Sequence, residues 1–210
     1  MNELDKDERA HLTLSEKLIG EAEGAADSTR SDRLYSMALE ECDKAIGLAR
    51  YDAGALNSCG YLPWQWYWSW IRGESAEGPT SAALGTAVDR AKTAVRLTED
   101  KGSFRDHQVY ESTLGEVQLA SGQFDGALKT LEGIQNLGKQ ALFDEIRWDL
   151  AQASVCASSK NDKQATEELK VIRDHENARE DQRFFGETTI EELKSNCHKL
   201  GASPGETTLH

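Results

Sequence analysis

Residues 87–97, Ala-Val-Asp-Arg-Ala-Lys-Thr-Ala-Val-Arg-Leu, set Ala87, Ala91, Ala94 and Leu97 at offsets of four, seven and ten. At 3.6 residues per turn these positions share one side of a helix. Similar spacing recurs in Ala38/Cys42/Ala45/Leu48, in Ala127/Leu131/Ile134/Leu137 and in Ala165/Leu169/Ile172/His175. The leading alanines are 49, 40 and 38 residues apart. A period of that size signals a repeat architecture, in which one helix pair cannot bury its apolar face without a neighbour. The expected fold is all-α: antiparallel helix pairs stacked as an α-solenoid, closed by a C-terminal capping helix.

The chain has 210 residues, 38% hydrophobic and 29% charged, with 3 prolines, which is the composition of a folded chain. A net charge of −13 argues against a nucleic-acid partner, because a phosphate backbone needs Lys/Arg surfaces that release counterions. It disfavours anionic lipid for the same reason. A basic protein or peptide is the more natural partner, although solubility alone also accounts for the charge. No apolar run reaches the length of a membrane-spanning helix, and the start, Met1-Asn-Glu-Leu-Asp-Lys-Asp-Glu, lacks the basic and apolar segments of a signal peptide. Cys42, Cys59, Cys156 and Cys197 are far apart and form no CxxC pair. They read as reduced, packed thiols, so the expected location is cytoplasmic.

Nothing reads as a strand. Helices are expected over 7–26, over the Ala38 stripe with Ser31 or Asp32 as its cap, and from Asp52 to Gly73. The loop Gly73-Glu-Ser-Ala-Glu-Gly-Pro-Thr-Ser is the clearest break, and the Ala87 helix after it closes near Lys101-Gly102. Further helices are expected over 105–120, 124–137, 139–158 and 163–176. The last begins at Thr188, where Thr188 and Glu191 have the spacing of a capping box, and ends at Gly201. One domain over 1–201 follows, with units of about 7–49, 52–101, 105–138 and 139–176, a cap helix at 188–200 and a flexible tail at 202–210.

Residues 105–139 resemble a tetratricopeptide repeat, a two-helix unit of 34 residues. The matching residues are Leu114-Gly115 in the first helix, Gly122 at the turn, Phe124, Ala127 at the helix crossing and Leu131. Glu111, Gln118 and Lys139 stand where the family favours Trp, Tyr and Pro. Leu150-Ala151, Cys59-Gly60 and Ile19-Gly20 could stand in for the Leu-Gly pair in the other units. The resemblance implies a concave groove lined by the first helix of each pair. Aligned on the small residues, Tyr61, Trp64 and Trp68, then Ser112, Glu116 and Leu119, then Trp148, Gln152 and Val155, would face it.

The segment Tyr61-Leu-Pro-Trp-Gln-Trp-Tyr-Trp-Ser-Trp70 holds four of the five tryptophans. On a helix Tyr61, Trp64, Trp68 and Ile71 share a face, while Trp66 and Trp70 project from the opposite side. Pro63 either kinks this helix or opens a new one near Leu62. The aromatics either anchor a partner or fill space beneath the Gly73–Ser81 loop.

No nucleotide loop, hydrolase elbow or metal spacing is present, and Cys197-His198 sits about 100° apart on a helix rather than face to face. Neither cofactor nor metal is expected, and no enzymatic activity. The expected function is a protein–protein interaction module, an adaptor or scaffold, with aromatic anchors in acidic surroundings and a monomer as the resting state. Alternatives are an acidic regulatory or inhibitory subunit that occupies a basic site on an enzyme, and a helical small-ligand-binding or catalytic domain.

Overall fold

The computed structural model describes residues 3–49, 51–99, 104–134, 141–179, 185 and 187–200. Among them every regular element is a helix, and no described helix is long and apolar enough to cross a membrane. The chain divides into two compact units; the first reaches to Val117 and the second begins at Gln118. The expected contributions of Leu137, Lys139, Lys101-Gly102 and the tail over 202–210 lie outside the described residues.

The first unit holds α1 (Glu3–Glu23), α2 (Ser28–Leu48), α3 (Ala53–Ile71) and α4 (Ser81–Glu99), followed by the start of α5 (Phe104–Ala120). Asp27, not Ser31 or Asp32, caps α2, accepting from the Thr29 and Arg30 amides at 2.8 and 3.1 Å. Starting the helix there turns Ser31, Leu34 and Tyr35 inward, and that burial selects among the candidate caps. α1 and α2 run antiparallel, joined by Ser15 Oγ donating to the Ala38 carbonyl at 3.1 Å and by His11 beside Glu41 at 2.6 Å. The core between α1, α2 and α3 is Leu18, Ala22, Leu34, Tyr35, Ala38, Cys42, Cys59, Leu62 and Trp66. Asp52 caps α3 through the Ala55 amide at 2.8 Å, and α3 then runs through Pro63 to Ile71 without restarting near Leu62.

Gly60 brings α3 against α4. A Cβ there would stand 3.3 Å from the Ala87 carbonyl and 3.4 Å from the Ala91 amide, so glycine is the residue that fits this crossing. Gly20, its expected counterpart in α1, is exposed and has nothing within 4 Å of a Cβ. The two glycines should therefore respond in opposite directions. Gly20→Ala is expected to stabilise by about 0.5–1 kcal/mol by reducing unfolded-chain entropy. Gly60→Val should destabilise by roughly 1–3 kcal/mol through overpacking against backbone. Urea unfolding of the two variants checks this, and equal effects would remove the close crossing.

The second unit holds the last turn of α5, then α6 (Phe124–Gly133), α7 (Ala141–Cys156), α8 (Asp162–Arg179) and α9 (Ile190–Cys197). Gly122 turns the chain from α5 to α6 at φ +72°, a conformation that glycine adopts without steric cost. α7 and α8 are antiparallel, tied by Asp144 to His175 and by Arg147 to Glu168. Ala38, Ala87, Ala127 and Ala165 are each 0% exposed, so the leading alanines of the stripes face inward in both units, whereas Leu48, at the end of the first stripe, is 39% exposed.

α9 begins one residue later than expected. Thr189 is its cap and Glu192 the reciprocal partner, in place of Thr188 and Glu191. Both pairs have the capping spacing; the observed frame buries Leu193 completely and leaves the Thr188 hydroxyl to accept from Trp148.

The cysteines also differ from expectation: they form two disulfides, Cys42–Cys59 between α2 and α3, and Cys156–Cys197 between α7 and α9. Each pair has its Cα atoms 5.4 Å apart, within the range a disulfide spans. Sequence separations of 17 and 41 carry no local signature, so helix packing alone makes the pairs. Paired cysteines remove the thiol argument for a reducing compartment.

Candidate functional site

The aromatic face of α3 is core. Trp64 is 2% exposed and stacks on Trp68 and Tyr67 with ring centroids at 5.3 and 6.4 Å, and Tyr67 itself is fully buried. Of the two readings of Trp64, partner anchor or space-filling core, the packed one holds, because α3 is enclosed on more than one side within its unit. Tyr61 and Trp68 are half-buried.

Trp66, on the opposite side, meets a polar clamp. The buried Asp32 carboxylate accepts from Trp66 Nε1 at 2.7 Å, from the Ser75 hydroxyl, and from the amides of Ala76, Glu77 and Gly78 at 2.8, 3.0 and 3.3 Å. Burial pushes this carboxyl up, but the bonds from Ser75, Trp66, Ala76 and Glu77 outweigh it and hold it below the ordinary aspartate value. Gly73 and Gly78 take φ of +76° and +70°, and a Cβ on Gly78 would strike the Trp70 side chain at 2.9 Å. The 73–80 loop is therefore a lid sealed onto the tryptophans. Trp66, Ser75 and three loop amides converge on the Asp32 carboxylate, which ties the loop to α2 and α3.

The second unit carries an open depression of about 360 Å³ lined by Trp148, Glu187, Thr188, Glu192 and Asn196. Trp148 comes from α7, Glu192 and Asn196 from α9, and Glu187 and Thr188 from the segment leading into it. Trp148 is 6% exposed; its Nε1 donates to Thr188 Oγ1 at 3.2 Å and its ring lies 6.0 Å from that of Phe185. The Thr189 amide and hydroxyl donate to Glu192 and hold its carboxyl below the usual glutamate range, so it stays charged at neutral pH. Behind this wall Gln152, 0% exposed, donates to the Leu193 carbonyl at 2.8 Å and accepts from Asn196 at 3.3 Å.

Of the residues expected to face a partner, the fold brings Trp148 and Gln152 to one place, and only Trp148 lines the depression. Ser112, Glu116 and Leu119 are 6%, 3% and 0% exposed, and Val155 is 5% exposed; these side chains are covered, where groove-facing positions were expected. Ser112 and Glu116 are polar, so nothing in the local sequence of α5 signals their burial. Glu187, Glu192 and Asn196 were missed. The only signal near them is the run Thr188-Thr189-Ile190-Glu191-Glu192, which reads as a helix start and nothing more.

Among the described residues no group of three or more His, Cys, Asp or Glu is placed to hold a metal ion. No family model, no curated protein and no solved structure matches this chain.

Proposed function

We propose that the protein is a helical-repeat interaction module, tetratricopeptide-like in its helix pairs, whose second unit receives a basic side chain of a protein or peptide partner. The observation that carries this reading is the depression over Trp148 with Glu187, Glu192 and Asn196 around it. Carboxylates beside an indole favour a cation, and the overall charge of −13 draws a basic partner toward the chain. The depression is open, whereas sites for free small ligands enclose most of the ligand surface, so a side chain presented by a larger partner fits better. Two disulfides favour an oxidising setting for this binding over the reducing cytoplasm.

Binding of a fluorescent hexalysine peptide tests the reading. Affinity should fall steeply as salt rises. Glu187→Lys, on an exposed residue, should weaken binding by about tenfold with unchanged stability. Equal binding by the variant and the wild-type protein would reject the depression as the site.

A further inference from the structure

The two disulfides sit in unlike surroundings. Cys42 and Cys59 are 2% and 0% exposed among Leu18, Ala38, Leu62 and Trp66. Cys156 and Cys197 are both half-buried. Gln152 Nε2 stands 3.0 Å from Cys156 Sγ and 3.6 Å from Cys197 Sγ. Of its two hydrogens, one goes to the Leu193 carbonyl and the other to the nearer sulfur, Cys156. A donor aimed at that sulfur stabilises the thiolate formed when the bond breaks, which makes Cys156 the better leaving group.

The same cross-link joins the two walls of the depression. Trp148 lies on α7, about two turns before Cys156. Glu192 and Asn196 lie on α9, Asn196 being the neighbour of Cys197 and the donor to Gln152 Oε1. α9 has eight residues, too few to hold a helix without external contacts. Its further ties include the buried Leu193, whose carbonyl accepts from Gln152, the Trp148–Thr188 bond just before the helix, and the Lys194–Asp162 ion pair at 2.8 Å.

We propose that Cys156–Cys197 is a thiol–disulfide exchange site opened by a dithiol reductant, and that opening it loosens the α9 wall of the acidic depression. One thiolate of the reductant attacks Cys197 Sγ, the Cys156–Cys197 bond breaks, and Cys156 leaves with the electron pair and takes up a proton. The second thiol of the reductant then attacks its own sulfur in the mixed disulfide and releases Cys197, which is protonated in turn. Two electrons and two protons pass to the protein, and the reductant departs as a disulfide. The consequence for binding rests on the function proposed for the depression; the exchange chemistry does not.

Graded dithiothreitol, iodoacetamide labelling and peptide mapping of the full chain test this. Cys156 and Cys197 should be labelled at least about tenfold sooner than Cys42 and Cys59. Hydrogen exchange over 190–197 should then quicken, and hexalysine binding should weaken by about threefold or more. A Cys156→Ser/Cys197→Ser variant should begin in the loosened state and ignore the reductant. Simultaneous labelling of all four cysteines, or unchanged exchange over 190–197 after selective reduction, overturns the proposal. Faster exchange with unaltered hexalysine binding overturns its control of the site. Hexalysine bound in neither redox state sinks the function proposed for the depression, and the exchange result then decides the latch alone.

Discussion

Replacing Asp32 by alanine is expected to lower the unfolding free energy of the protein by about 3–4 kcal/mol, because several buried donors lose their acceptor together. Trp66 Nε1, the Ser75 hydroxyl and three successive loop amides converge on this one carboxylate, which is 8% exposed. Water cannot replace it without opening the 73–80 lid, so the variant should also show a red-shifted tryptophan emission. The sign of the pH dependence follows from the depressed folded-state value of Asp32. The contribution is fully present above the unfolded aspartate value of about 4 and is lost as pH falls through the lower folded value. Asp32→Asn, which does not titrate, should therefore be much less stable than wild type at pH 7, and the gap should be smaller at about pH 3, below the unfolded aspartate value. Urea unfolding at the two pH values checks this. A gap that stays constant would show that the carboxylate charge contributes nothing to the lid.

Trp64→Ala is expected to cost about 3–5 kcal/mol, the range for deleting a buried indole with partial relaxation of the cavity. At 2% exposure, with stacking partners on Trp68 and Tyr67, the side chain has no face left for a partner. Hexalysine binding per folded molecule should be unchanged. Thermal unfolding and a binding titration at a temperature where the variant is folded separate the two quantities. Lost binding with intact stability would restore Trp64 as an anchor. That outcome requires α3 to expose a face that the structure encloses.

The helix positions were legible because the signal for each is local. Ala87, Ala91, Ala94 and Leu97 repeat within eleven residues, and all four leading alanines of the stripes are buried. Gly122, between the polar Ser121 and Gln123, was legible as a turn, whereas of the two small-residue positions Gly60 and Gly20 only Gly60 sits at a close crossing. The candidate site was hardly legible. Trp148 stood out as an aromatic on a predicted helix, yet its neighbours Glu187, Glu192 and Asn196 follow it by about forty residues and carry only capping signals of their own. In the sequence Asp32 reads only as a candidate helix cap, since the donors that claim it lie 34 to 46 residues away.

What the sequence determined by itself is the helical class, the inward position of the leading alanines and the acidic character of the chain, all of which depend on residues within a few turns of one another or on composition. Only the tertiary structure decided which cysteines pair, that Asp27 and Thr189 win their capping frames, that Trp64 is enclosed and that Trp148 meets α9. Those outcomes compare alternatives that are nearly equal in local energy. The burial of Tyr35 or Leu193, and the approach of sulfurs 17 or 41 residues apart, break the tie only once helices have packed.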